Sequence, residues 1–195
     1  MKRSVTMVFV VILMLTLTAC RQDTGRAIDQ RYRNLKSYTT QMHVTVTGNK
    51  GKSEYQLAQV FLAPNQCRTE VLAPEEWKGT ISIVSGEDMH LIGGNAPAVS
   101  LKQNRMDAVD YLSVAEFFHT YFADGQMEQT DGMVVLRTVT EEETPYRASQ
   151  MLQLDAKTLL PMAMVVFDHH GNEIIRAEYK NFMLDAKIET GAFAP

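Results

Sequence analysis

Hydrophobic positions along the chain follow three successive regimes. From Met7 to Leu17 they are almost unbroken. From Thr24 to Lys36 they recur at helical spacing, with Ile28, Tyr32 and Leu35 at i, i+4 and i+7 and Thr24 placed to cap the helix. From Tyr38 the period drops to two. Tyr38, Thr40, Met42, Val44 and Val46 share one face of a predicted strand, and Thr39, Gln41, His43, Thr45 and Thr47 take the other. Gly48-Asn49-Lys50-Gly51 reads as a turn, so Ser53 to Leu62 should form a hairpin with the first strand. Both faces of that second strand are fairly apolar (Tyr55, Leu57 and Phe61 against Ala58, Val60 and Leu62), which predicts cover on both sides.

Strands are predicted next at Gln66 to Leu72, around Ile81 and Ile83, and around Met89 and Leu91, with Gly86-Glu87-Asp88 as a hairpin tip. Gly93-Gly94-Asn95 and Pro97 should then stop the sheet. Between Gln103 and Ala123 the helical period returns through Met106, Val109, Leu112, Ala115, Phe118 and Phe122, with Phe117 and Tyr121 beside them. A helix broken near Ser113 fits this run, and its aromatic content requires burial against the open sheet. Further strands are expected at Gly132 to Thr140, Ser149 to Asp155, Pro161 to Phe167 and Glu173 to Phe182, with a short one around Ile188. Asp168-His169-His170-Gly171-Asn172 reads as a hairpin turn and Glu141-Glu142-Glu143 as a solvated loop. The expected class is α+β: about ten antiparallel strands in one sheet with two or three helices, undivided by any long linker.

The N-terminal run changes the picture of where the protein works. Lys2 and Arg3 precede it, and it is shorter than the roughly 20 apolar residues a helix needs to cross a bilayer, so it fits a secretory signal. Leu17-Thr18-Ala19-Cys20 follows and resembles the lipobox of bacterial lipoproteins, in which the cysteine carries diacylglycerol and cleavage falls just before it. The expected organisation is a signal peptide over 1–19 and a single body over 20–195, held on the outer side of the cell membrane by the lipid on Cys20. That leaves Cys67 as the one thiol, so neither an intrachain disulfide nor a cysteine zinc site is available, and its alternating neighbours predict a buried, inert strand cysteine.

Charge narrows the partners. The first twenty positions hold Lys2 and Arg3 and no acid, so the remainder carries 17 basic and 23 acidic residues, a balance of −6. Nucleic-acid binding needs a concentrated basic face and is excluded. The chain lacks HExxH, GxSxG, a glycine-rich phosphate loop after a strand and a Cys/His nucleophile pattern. Adjacent His169 and His170 would point to opposite faces of a strand, poor geometry for one metal. No catalytic residue, metal or dissociable cofactor is therefore expected. What remains is apolar surface. Nine of the 12 methionines lie beyond the signal, and a flexible, polarizable side chain suits either core filling or a face that accepts variable guests. Met42, Val44, Val46, Leu57, Met162 and Met164 are the candidates for an apolar concave face, and Phe117, Phe118, Tyr121 and Phe122 for a helical plug over it.

The order of elements resembles the LolA-like superfamily of envelope carriers and lipoproteins. The resemblance is carried by Leu152-Gln153-Leu154-Asp155 with Thr158-Leu159-Leu160-Pro161, by Phe167-Asp168 and Gly171-Asn172, by Tyr179-Lys180-Asn181-Phe182, by Phe193, and upstream by Val60-Phe61-Leu62-Ala63-Pro64. It implies an open antiparallel β half-barrel with helices covering the concave face, which in carriers of this fold holds acyl chains. Thr47-Gly48-Asn49-Lys50 with Tyr55, and Glu70-Val71-Leu72-Ala73-Pro74 with Lys78-Gly79, are similar to the GerS-type lipoproteins of spore-forming Gram-positive bacteria. That implies a non-enzymatic protein that binds and supports a cortex peptidoglycan amidase in germination. The alternative is a lipid or lipoprotein acyl-chain carrier, although a membrane tether does not suit a soluble shuttle. Exposed strand edges also leave a homodimer open.

Overall fold

The structure is a computed structural model that describes residues 23–86, 88–93, 99–102, 110–144, 147–189 and 191–194. The signal, Cys20, Met106 and Val109 lie outside the described residues. The chain divides into two compact units, Met1–Asn34 and Leu35–Pro195. In the first, helix α1 covers 23–32. It is amphipathic as its spacing requires: Ile28 and Tyr32 are buried, and Asp23, Arg26, Gln30 and Arg31 are exposed. The helix already includes Thr24, which is therefore not its cap, and it ends before Lys36.

The second unit is one sheet. In chain order its strands are β1 (Ser37–Gly48), β2 (Gly51–Leu62), β3 (Gln66–Ala73), β4 (Ile81–Ser85), β5 (Asp88–Ile92), β6 (Val99–Lys102), β7 (Gln126–Thr130), β8 (Met133–Thr144), β9 (Arg147–Asp155), β10 (Pro161–Phe167) and β11 (Glu173–Leu184). They lie in the order β6-β5-β4-β3-β2-β1-β11-β10-β9-β8-β7. Every pairing is antiparallel, and β6 and β7 remain as separate edges, so the sheet is an open half-barrel. Between β6 and β7 the described residues form a 3-10 turn (Asp110–Leu112) and helix α2 (Val114–Asp124).

The expected hairpins form where their turn residues permit. Asn49 and Lys50 alone join β1 to β2, with Gly51 at φ +115°, a conformation closed to most side chains. In the β10–β11 turn the Asp168 carboxylate accepts the backbone N–H groups of His170 and Asn172 at 2.9 and 2.8 Å. The break expected near Ser113 is the N-terminus of α2, where the Ser113 hydroxyl accepts from Glu116 N.

Three expectations are corrected and one strand is added. The sheet does not stop at Pro97, because Val99–Lys102 adds β6 at one edge; four residues are too few for alternation to stand out. Strand β7 was invisible because Met127 is its only apolar residue, which suffices for an edge strand with one face wet. Glu141-Glu142-Glu143 is not a loop but part of β8. The ladder with β7 ends at Arg137 and the register with β9 shifts between Val139 and Thr144, so the triplet falls on an irregular part of the strand. Residues around Ile188 form no strand.

Candidate functional site: the inner face and its helix

Register decides which side chains meet. Met42 stands opposite Leu57 on β2 and Tyr179 on β11, Val44 opposite Tyr55 and Ala177, and Val46 opposite Ile175. Across β10 the same face continues through Met164, which pairs with Ala177 and Leu152. Five of the six candidate face residues therefore share one side of the sheet. Met42, Val44 and Met164 are buried, while Val46 and Leu57 are half-buried. Met162 falls at the irregularity between Pro161 and Ala163 and is 47% exposed, so the structure does not bring it to the others.

This is the face that carries α2. Three side chains on three strands hold the helix entry by three backbone groups between Tyr111 and Val114. The Gln150 amide (β9) donates to Tyr111 O at 3.0 Å, the Tyr179 hydroxyl (β11) donates to Leu112 O at 2.9 Å, and the Tyr38 hydroxyl (β1) accepts from Val114 N at 3.1 Å. Tyr38 spends its own proton on Gln59 Oε1 at 2.8 Å and lies 3.3 Å from the Ser113 hydroxyl. The first N–H of a helix has no partner of its own, and here a phenol supplies one. Tyr38 stacks between Phe61 and Phe182, at 5.3 and 5.0 Å, which fixes where its hydroxyl points. Burial pushes the Tyr38 and Tyr179 hydroxyls well above the usual phenol range, with the neighbouring Cys67 a lesser contributor, so both stay protonated and able to donate.

From that anchor α2 runs along β8, whose inward Val134 and Leu136 are fully buried. Phe117 and Phe118 are each 1% exposed and meet edge to face at 5.7 Å. Tyr121 stacks on Phe117 at 6.0 Å and Phe122 on Phe118 at 5.5 Å, both half-buried. The four plug candidates thus form one aromatic cluster. Burying two such rings, at about 25 cal/mol per Å² of apolar surface, favours the seated helix by several kcal/mol.

A buried polar row crosses the same face. Thr40, Gln59, Thr69 and Ser82 are direct neighbours on β1, β2, β3 and β4, and none exceeds 4% exposure. Gln59 Nε2 donates to Thr69 Oγ1 at 3.2 Å, whereas Ser82 Oγ ends the row with no hydrogen-bond partner among the described residues. Cys67, opposite Phe61, is buried beside this row. The other face of the central strands is wetter, with His43 Nε2 3.6 Å from Glu54 and Asn181 donating to Gln41 at 3.4 Å. Among the described residues no three His, Cys, Asp or Glu side chains converge as a metal site would require, and no helix is long and apolar enough to cross a membrane. Sequence reading missed the clamp on the helix entry. Its signal was present: Gln59 and Gln150 occupy inward positions on strands whose other inward residues, Leu57, Phe61 and Leu152, are apolar.

The open antiparallel half-barrel is the LolA-like fold, and solved structures with this fold match along most of the chain. One is a chain of the complex between the CwlD amidase and the GerS lipoprotein of Clostridioides difficile, with 24% identity, a TM-score of 0.54, and coverage of 83% of this chain and 94% of that one. Another is the LolA superfamily protein NE2245 of Nitrosomonas europaea, at 11% identity and a TM-score of 0.53, covering 89% and 97%. A third is a putative outer membrane lipoprotein-sorting protein domain of Vibrio parahaemolyticus, at 12% identity and a TM-score of 0.53, covering 88% and 95%. The chain belongs to the YdcC-like sporulation protein family, whose model matches residues 1–193. A comparison with curated proteins gives no match.

Proposed function

We propose that this protein is a non-enzymatic lipoprotein, anchored through diacylglycerol on Cys20 to the outer side of the cell membrane, that binds and supports a cell-wall amidase of the spore cortex in germination. The observation that carries the reading is the occupied inner face. Where a carrier would seat acyl chains, Phe117 and Phe118 are already buried, and Tyr38, Tyr179 and Gln150 hold the helix that bears them. Membership of a sporulation family agrees with this, as does likeness in fold to a structure in which GerS is complexed with the CwlD amidase. The body over 20–195 is then a docking module, and the tether keeps its partner near the wall.

The test is size-exclusion chromatography of the body, residues 21–195, with the purified CwlD-type amidase of the same cell. A stoichiometric complex is expected. Separate elution at micromolar concentration, combined with stoichiometric lipid in the preparation, would move the assignment to an acyl-chain carrier. For the anchor, Cys20→Ala is expected to shift the protein from the membrane to the soluble fraction, and unchanged retention would refute lipidation there.

A further inference from the structure

The chain has a single tryptophan, and it stands outside the core. Trp77, in the connection between β3 and β4, is 55% exposed. Its loop is tightly held. Trp77 N donates to Pro74 O at 3.1 Å, Lys78 N to Glu75 O at 3.4 Å and Thr80 N to Trp77 O at 3.0 Å. Gly79 N and Val71 N close the base on Val71 O and Thr80 O, each at 2.9 Å, and Gly79 sits at φ +78°, where a side chain would be strained. The Lys78 ammonium pairs with Glu75 at 3.1 Å. A large apolar side chain is thus presented to water on a backbone with little freedom left to lose, and such pre-organisation is what a binding anchor needs. Tryptophan is also the residue type most enriched among the few that dominate protein interfaces.

We infer that Trp77 is the anchor by which this protein docks on its protein partner, entering an apolar pocket with a basic rim. The rim follows from the loop's charge. Lys78 is engaged by Glu75, which leaves the exposed Glu76 without an ion pair among the described residues and the loop net acidic. The same charge, on a body of −6, opposes insertion of the indole into an anionic bilayer surface. The inference rests on the amidase reading above, and the experiment separates the two.

Biosynthetic incorporation of 5-fluorotryptophan gives one fluorine resonance, from position 77. Titration with the unlabelled CwlD-type amidase should shift or broaden it, and Trp77→Ala should weaken the complex on the order of thirtyfold with an unchanged melting temperature. Trp77→Phe should recover part of that loss, and Met183→Ala, which removes an exposed side chain on β11, should change affinity less than threefold. A complex that forms without moving the resonance overturns the anchor and leaves the amidase reading standing. Absence of any complex overturns both. A shift with phosphatidylglycerol vesicles and none with amidase overturns the anchor in favour of a lipid surface.

Discussion

Two regions of this molecule handle aromatic side chains in opposite ways. On the inner face, Phe117 and Phe118 are buried to 1% exposure and the entry to their helix is held by hydroxyl and amide groups from three strands. In the β3–β4 loop, an equally dense set of hydrogen bonds holds Trp77 in the solvent. Both backbones are fixed, so the difference is not one of order against flexibility. In the first region the polar groups satisfy a buried helix end and the rings supply the apolar burial. In the second the polar groups satisfy only the loop, and the apolar surface of the indole is left unburied. The first region stabilises the fold, and the second is suited to binding.

The contrast breaks most directly by emptying the inner face. Phe118→Ala removes a fully buried ring, so unfolding free energy should fall by about 3–5 kcal/mol, read by chemical denaturation. Trp77→Ala should change it by less than about 0.5 kcal/mol. Equal losses at the two positions would erase the distinction. Tyr38→Phe keeps the stacked ring and deletes the hydroxyl, leaving Gln59 Oε1 and Val114 N buried without that partner. A loss of about 1–3 kcal/mol is expected, together with faster hydrogen exchange at 112–118. Ser82→Ala should have the opposite sign, because it removes a buried hydroxyl that has no partner among the described residues; stability should stay level or rise by up to about 1 kcal/mol.

The smallest effect belongs to the wet end of β11. Two hydrogen bonds from Arg176 hold the Glu173 carboxyl below its usual range. A depressed folded value means that the contribution is present above the unfolded value of about 4.3 and disappears as pH falls through the folded one. Arg176→Gln should therefore lower stability at pH 7 by a few tenths of a kcal/mol, the range of screened surface pairs, and leave it unchanged near pH 2. A difference that persists at pH 2 would assign the loss to packing of the arginine stem.

Legibility from sequence followed the same division. The central strands were readable because Tyr38, Thr40, Met42, Val44 and Val46 alternate without interruption over a face that burial enforces. Asn49-Lys50 and Asp168–Asn172 were readable because turns need particular residues. The edges were not: β6 and β7 are short and pair on one side only, so packing leaves little imprint on Gln126–Thr130. The Glu141-Glu142-Glu143 triplet reads as a loop because acidic residues are depleted in strands, yet the backbone there belongs to β8. Alternation grouped Met162 with Met164, but a register irregularity beside Pro161 separates them, and periodicity carries no record of a bulge. Within the site, the aromatic cluster was legible from helical spacing. The clamp was only hinted at by the inward Gln59 and Gln150, because strand order and register alone bring Tyr38, Ser113, Gln150 and Tyr179 together.

Native mass spectrometry of the purified body mixed with the CwlD-type amidase of the same cell tests both halves of the proposal at once. A heterocomplex whose mass equals the two polypeptides, with no bound lipid, is the predicted spectrum. A spectrum in which this chain stays apart from the amidase and carries one lipid per molecule would contradict it.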